Sequence, residues 1–444
     1  MKYQLLNYLL LSGFFLLFTF SLAAQNYSKT DLYAVIDKKA DAVETKVIDW
    51  RRDFHQYPEL SNREFKTAEK IAKALKVMGL EVRTGIAHTG VVGILRTGNP
   101  GPVVGLRADM DALPVVEHVD LPFASKVTST YLGEEVGVMH ACGHDTHVAM
   151  LLGAAEVLTG MKDQLSGTVV FIFQPAEEGA PPGEEGGAEL MVKEGVLEDP
   201  KVDAIFGLHI SSRLEVGQIN FKPGGYLAAA DRFVIKVKGK QTHGSQPWAG
   251  VDPITVSAQI ILGLQNIISR QTELVREAAV ISVGKISGGV RNNIIPEEVE
   301  MIGTIRTLDT KMQEIIHEKI HLTATKIAES AGAIAEVTIN KGYPVTFNHL
   351  ELTRQMVPTL YRTAGEENVN LVNPITGAED FSYYAKEVPG LFLFVGGLPK
   401  GKDPSEAAPH HTPDFYIDES GMKLGVRTLC NLTVDYMNQN QSKK

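Results

Sequence analysis

The chain has 444 residues, a formal net charge of −10, 44% hydrophobic and 22% charged residues. This is the balance of an ordinary globular protein, and the acidic excess argues against nucleic acid as a partner. A chain of this length exceeds what a single hydrophobic core organises, so two domains are expected.

Lys2, the apolar run 9–20, and Ser21 and Ala23 at signal-peptidase spacing read as a cleaved secretory signal over residues 1–24. An uncleaved anchor is the alternative, but the run is too short to span a bilayer comfortably. The expected location is therefore periplasmic or secreted, with no membrane contact after cleavage.

Apolar residues at Leu32, Val35, Val43, Val47, Trp50, Phe54 and Tyr57 fall mostly at helical spacing, and Pro58 ends the pattern. Phe65, Ala68, Ile71, Leu75 and Met78 form the stripe of a second helix, which Gly79 stops. Short apolar runs at 91–95, 103–109, 169–175 and 204–209 read as buried strands, and "HVAMLLGAAEVL" as a helix between two of them. This alternation predicts an α/β fold, a mainly parallel sheet flanked by helices. Near residue 227 the pattern changes. A strand "RFVIKVKG", a helix over 253–269, strands "AAVISVGKI" and "EVEMIGTIR", a helix over 312–331 and a strand "AEVTI" follow. The order β-α-β-β-α-β is ferredoxin-like. A domain over 227–339 is thus expected inside a larger one made of 25–226 and 340–444. The larger one ends with a helix over 350–364, a short strand, the strand "LFLFVGG" and a helix over 418–437.

Open α/β sheets collect ligands at the carboxyl ends of their strands. Asp109 and Asp111 in "RADMDALP", Glu177 and Glu178 in "FQPAEEG", and His209 in "FGLH" stand at or near such ends. "MHACGHD" lies at a helix entry, with Cys142, His144 and Asp145, and "PHHTPDF" puts His410 and His411 in a late loop. Singly, these are turn aspartates, a solvated pair, a core histidine and a surface loop. Together they suit a two-metal hydrolase. Thiolate, imidazole and carboxylate suit Zn²⁺, and with other occupancy Mn²⁺ or Co²⁺. In an adjacent glutamate pair one residue can bind metal while the other shuttles a proton. The only other cysteine is Cys430; a disulfide with it is less expected than a metal thiolate at Cys142.

These stretches, with "HGSQPWAGVDPI", "NNIIPEEVEMIGTIR" and "GAEDFSYY", run in order from residue 107 to 415. The chain resembles the co-catalytic metallopeptidase and amidohydrolase family that includes carboxypeptidase G and the aminoacylases. It looks most like the branch of hippurate hydrolases and auxin–amino-acid conjugate hydrolases. The resemblance implies a zinc-exopeptidase-like catalytic domain with a dimerisation or lid domain inserted, assembled as a homodimer. It implies two divalent ions per subunit, Zn, Mn or Co, on Cys142, His144, Glu178, His209 and His411, with His410 the alternative for the last. Cys142 stands where other branches carry a bridging aspartate. Glu177 matches the general base, and Asp109 and Asp145 match residues that orient the site; His140 and His147 are not ligands. Asp145 is also the expected cap of a helix beginning at Thr146.

His243 matches a histidine that reaches a neighbouring active site and stabilises the oxyanion. Asn293 and Arg306 match groups that hold the substrate carboxylate. The implied activity is hydrolysis of N-acyl amino acids by metal-bound hydroxide, giving a carboxylic acid and an amino acid. A metallo-carboxypeptidase or dipeptidase is the alternative within enzymes. An exported, catalytically inactive binding protein is the alternative of another class, and the presence of Glu177 speaks against it. Two departures concern the substrate: Trp248 stands where many relatives carry a second histidine, and "EEGAPPGEEGGAELM" is longer than the branch's glycine-rich turn, adding Glu184 and Glu185 near the entrance.

Overall fold

A computed structural model describes residues 29–441. The expected secretory signal lies outside these residues. Helices α1 (Lys29–Gln56) and α2 (Phe65–Val77) lead into strands β1 (Glu81–Ile86), β2 (Gly90–Arg96) and β3 (Val103–Asp109). A hairpin of β4 (Thr128–Tyr131) and β5 (Glu134–Gly137) precedes α3 (His144–Thr159). Next come β6 (Thr168–Gln174), α4 (Gly187–Lys193), β7 (Ala204–Glu215), β8 (Ile219–Phe221) and β9 (Gly224–Leu227). The following stretch holds β10 (Ala229–Lys238), β11 (Thr242–His243), α5 (Pro253–Gln271), β12 (Ala279–Gly288), β13 (Ile294–Ile295), β14 (Glu298–Thr307), α6 (Thr310–Ser330) and β15 (Ile334–Asn340). The chain closes with β16 (Thr346–Asn348), α7 (Leu350–Ala364), β17 (Val369–Leu371), α8 (Phe381–Glu387), β18 (Gly390–Leu398) and α9 (Met422–Asn440).

The main sheet has the order β1-β2-β6-β3-β7-β18-β8-β17. Its centre, β6-β3-β7-β18, is parallel. Antiparallel pairs flank it, β1-β2 and β2-β6 on one side and β18-β8 on the other. Burial on both faces explains why β3 is one uninterrupted buried run. One face packs against α1, α3 and α9 through Ile36, Val47, Leu151 and Leu432, and the other against α4 and α8 through Met191, Phe381 and Tyr384. Helix α3 is buried almost all round, as a helix apolar on every side must be.

The second sheet is antiparallel throughout, with order β12-β14-β10-β15. Helices α5 and α6 cover it through a separate core that includes Phe233, Ile260, Leu264, Ile316 and Ile320. This is the ferredoxin-like arrangement that the order of elements predicts. Where the chain passes between the sheets, Ala230 N–H donates to the Tyr343 carbonyl (3.0 Å) and Gly342 N–H to Asp231 Oδ1 (3.1 Å). Among the described residues no helix is long and apolar enough to cross a membrane.

One local expectation is corrected. Helix α3 begins at His144, not Thr146, and Gly143 rather than Asp145 holds the cap position, with φ 89°. Asp145 lies in the first turn, where Arg51 Nε (2.8 Å) and His55 Nδ1 (2.9 Å) engage its carboxylate. Short elements such as the β4–β5 hairpin, α4 and α8 are absent from the sequence reading, because so few residues establish no period.

Candidate metal centre

The carboxyl ends of β3 and β6 bring Asp109 and Asp111, and Glu177 and Glu178, to one place; β7 runs on to Glu215, so His209, expected at the end of its strand, joins them from the middle of it. Cys142 enters from the turn before α3, and His410 and His411 from the loop after β18. Cys142 Sγ lies 3.4 Å from His209 Nε2, 3.3 Å from His411 Nε2 and 3.5 Å from His410 Nδ1. Donor atoms of Cys142, His144 and Glu178 fall within 4.8 Å of one another, as do those of Cys142, His209 and His410. Cys142 is thus common to two donor groups. His411 Nε2 also lies 3.0 Å from Glu178 Oε1, so it touches both Cys142 and Glu178. His410 is tied through Nε2, which accepts from Ser212 N–H at 3.3 Å.

The remaining hydrogen bonds decide which ring nitrogens are available. His144 Nδ1 faces the Asp111 carbonyl (3.0 Å) and Oδ1 (3.2 Å), so the proton belongs there. His144 Nε2 is left buried with no hydrogen-bond partner. His209 Nδ1 faces the Ile210 carbonyl at 2.6 Å, which turns Nε2 toward Cys142. His147 has both nitrogens occupied, Nδ1 on Asp109 Oδ1 (2.5 Å) and Nε2 accepting from Ile210 N–H (2.8 Å), so it has no lone pair to offer a metal. His140 is buried without hydrogen-bond partners, and burial pushes it down to about 4.

The local charge is strongly negative. Arg107 is buried and pairs with Asp109 (2.6 Å), Asp380 (2.8 Å) and Glu379 (3.0 Å). Burial, followed by the charges of Glu379, Glu178 and Asp380, pushes Glu177 well above the ordinary carboxylate range. Burial, with Glu178 and Glu177 adding to it, pushes the Cys142 thiol up as well. A thiol so placed ionises only beside a cation, and an unpartnered imidazole nitrogen stands next to it. The donor set therefore fits divalent ions.

Glu177 Oε2 lies 3.9 Å from His144 Nε2. Its loop starts from a left-handed non-glycine residue, Ala176 (φ 53°). Three contacts hold the loop: Ala176 N–H donates to Glu64 Oε1 (3.0 Å), Tyr343 Oη–H to the Glu177 carbonyl (2.6 Å), and Glu178 N–H to Asp111 Oδ2 (3.0 Å). Sequence reasoning missed Glu64, Arg107, Tyr343, Glu379 and Asp380. The adjacent acids of "GAEDF", set among apolar residues, were the available signal.

His243 and Asn293 lie together on the β11–β13 ribbon, where His243 pairs with Ile294 and Gly244 N–H donates to the Asn293 carbonyl at 2.8 Å. Both are exposed. Arg306 is half-buried on β14, and its guanidinium has no hydrogen-bond or ion-pair partner among the described residues. None of the three touches the Cys142 cluster within one chain. Trp248 is 80% exposed. Cys142 and Cys430 are both free thiols, and Cys430 is buried in α9.

A mixed α/β sheet with acids, imidazoles and a thiol at the carboxyl ends of its parallel strands, carrying a ferredoxin-like insertion, defines a class of peptidases and amidohydrolases. The model of Peptidase family M20/M25/M40 matches residues 105–435, and the chain belongs to that family of amide-bond hydrolases. It is 40% identical over 411 residues to thermostable carboxypeptidase 1 of Saccharolobus solfataricus, covering 92% of this chain and 100% of that protein. It is 37% identical over 406 residues to IAA-amino acid hydrolase ILR1-like 2 of Arabidopsis thaliana, covering 90% of this chain and 88% of that one. Among solved structures it resembles the YXEP protein of Bacillus subtilis, described as a dinuclear metal binding peptidase of the M20 family. The two share 34% identity with a TM-score of 0.75, over 90% of this chain and 99% of that one.

Proposed function

We propose that the protein hydrolyses N-acyl amino acids to a carboxylic acid and an amino acid, using two divalent ions (Zn, Mn or Co). Cys142, His144, Glu178, His209 and His411 would hold them. The observation that carries this reading is the sharing of Cys142 between two donor groups beside an orphaned His144 Nε2. Such ions, when bound, polarise the amide carbonyl and acidify water. Glu177 takes a proton from the attacking water and delivers it to the amine nitrogen as the C–N bond breaks, so that the amine leaves neutral. Glu177 Oε2 stands 3.9 Å from His144 Nε2, beside the donor groups, where it can reach the attacking water and the leaving nitrogen.

In this reading Arg306 and Asn293 bind the substrate's free carboxylate. The unpaired guanidinium of Arg306 supports the assignment, since its fork matches a carboxylate. His243 of a second copy would donate to the developing oxyanion, which makes the homodimer the active form. We also propose that residues 1–24 are removed on export and that the enzyme works in a periplasm or outside the cell.

The similarity to a carboxypeptidase favours a second reading, a metallo-carboxypeptidase or dipeptidase, because the same clamp would hold a peptide terminus. Turnover of N-acyl glycines against dipeptides, with Zn²⁺, Mn²⁺ or Co²⁺ added, separates the two. Chelation is expected to abolish activity, and full activity in a metal-free preparation would overturn the mechanism. Sedimentation of the purified protein tests the dimer, and N-terminal sequencing of the exported protein tests the cleavage site.

A further inference from the structure

We infer that a cavity between the β4–β5 hairpin tip and the loop after Glu178 is the acyl pocket, sized for an uncharged group of about one ring. The inference rests on the proposed hydrolysis of N-acyl amino acids and specifies which acyl groups are accepted.

The cavity measures about 200 Å³ and reaches Glu178. Its lining includes Tyr131 and Leu132 of the hairpin, Pro181 and Pro182 of the loop after Glu178, and Leu113. A cavity of about 150 Å³ is known to take benzene. A carbonyl placed at Glu178 therefore directs its substituent into space for one ring or a short branched chain.

Leu132 is the first sign that this space receives a ligand. It has φ 51° and is followed by Gly133 at φ 88°, two left-handed residues in a tight hairpin turn. Such turns favour Asn or Asp before Gly, because a larger side chain is strained there. Leu132 is also 68% exposed. A strained, exposed leucine meets neither a folding requirement nor a solubility one, and such outliers cluster at ligand sites.

The 179–186 loop, which carries Pro181 and Pro182, is pinned. Glu184 pairs with Arg63 at 2.5 Å, and Asn62 Nδ2 donates to Glu184 Oε2 and to the Glu185 carbonyl, each at 3.0 Å. A Cβ on Gly186 would stand 2.7 Å from Asn62 Oδ1, so the glycine permits this closeness. Pro181 and Pro182 stiffen the remainder. The clamp neutralises Arg63, and Ser61 Oγ–H is already committed to Asp111 Oδ2 at 2.7 Å. No free cation in the lining is left for an acidic acyl group, so succinyl-type substrates are disfavoured.

The test compares kcat/KM for N-acetyl, N-benzoyl, N-octanoyl and N-succinyl derivatives of one amino acid on the metal-loaded enzyme. The benzoyl derivative is expected to lead. Leu132→Asn suits the left-handed turn and keeps the fold, so it isolates the side chain. It should lower the benzoyl-to-acetyl ratio about tenfold. Glu184→Ala, by freeing the loop, should raise the octanoyl-to-benzoyl ratio by about as much. Wild-type preference for octanoyl or succinyl, or ratios indifferent to Leu132→Asn, would overturn the pocket and leave the hydrolase reading intact. Calorimetric binding of the intact N-benzoyl amino acid to Glu177→Gln reads the pocket without turnover. Leu132-dependent binding in an enzyme that hydrolyses no acyl amino acid would overturn the hydrolase reading and leave the pocket. Absence of both overturns both.

Discussion

Gly143 shows how little room the site leaves. It turns the chain between Cys142 and His144 at φ 89°, and a Cβ there would stand 2.3 Å from Ile210 Cγ2. The turn aims Cys142 and His144 at one spot, while the adjacent Asp145 points away to Arg51 and His55. Removing the donor common to both groups, in Cys142→Ala, should strip metal from the protein on dialysis, read by metal content against wild type. Glu177→Gln keeps shape and hydrogen bonding but cannot accept a proton; kcat should fall about 10²–10⁴-fold with substrate affinity retained. The Tyr343 hydroxyl donates to the carbonyl of Glu177, across 166 residues of sequence. Tyr343→Phe should lower kcat several-fold with little change in KM, and cost about 1 kcal/mol of stability. The composition of "MHACGHD" was legible as metal chemistry. The choice of His144 over His140 and His147 came from the family resemblance and not from the residues alone, because it depends on what the second ring nitrogen of each one meets.

Helix α3 connects this turn to the core. Its length and apolar character were readable from the sequence, and its burial follows from α1, α9 and the sheet enclosing it. Gly153 marks the tightest approach: a Cβ there would lie 2.6 Å from Val47 Cγ2 and 2.9 Å from Val426 Cγ2. Intrinsic propensity alone would favour Ala over Gly in a helix by about 1 kcal/mol. Packing reverses the sign for larger groups. Gly153→Val should destabilise by about 1–3 kcal/mol, seen as a lower urea midpoint with an unchanged slope. Long periodic helices and fully apolar central strands were the legible elements. The β4–β5 hairpin, which lines part of the pocket, is four residues per strand and mostly exposed, so neither periodicity nor an apolar run marks it.

At the scale of the whole molecule, the junction between the two sheets carries a buried carboxylate. Asp231 accepts from Gln313 Nε2 and lies against His317 Nε2, each at 2.7 Å, besides accepting from Gly342 N–H. Burial alone would raise Asp231, but these hydrogen bonds hold its carboxyl below its ordinary value. A carboxyl depressed by folding stabilises the fold above its unfolded pKa of about 3.9, and that share is lost as pH falls through the folded value. Asp231→Asn should therefore cost about 1–3 kcal/mol near neutral pH. The gap from wild type should close as pH drops below about 4, measured by urea unfolding across a pH series. Tyr343 lies one residue from Gly342 in this junction, so the same crossing segment reaches both Asp231 and the loop of Glu177.

Residue types and their spacing along the chain determined the helices, the parallel centre of the sheet, the ferredoxin-like insertion and the pool of metal donors. Each of these follows from local periodicity or from chemistry that a side chain carries wherever it sits. The tertiary structure alone decided the rest: the glycine cap of α3, the free nitrogens of His144 and His209, the three acids around Arg107 and the clamp on the 179–186 loop. These depend on pairings such as His411 with Cys142 and Arg107 with Asp380, 269 and 273 residues apart. Burial makes every lone pair and charge at such a contact count, and no local pattern records which partner it will meet.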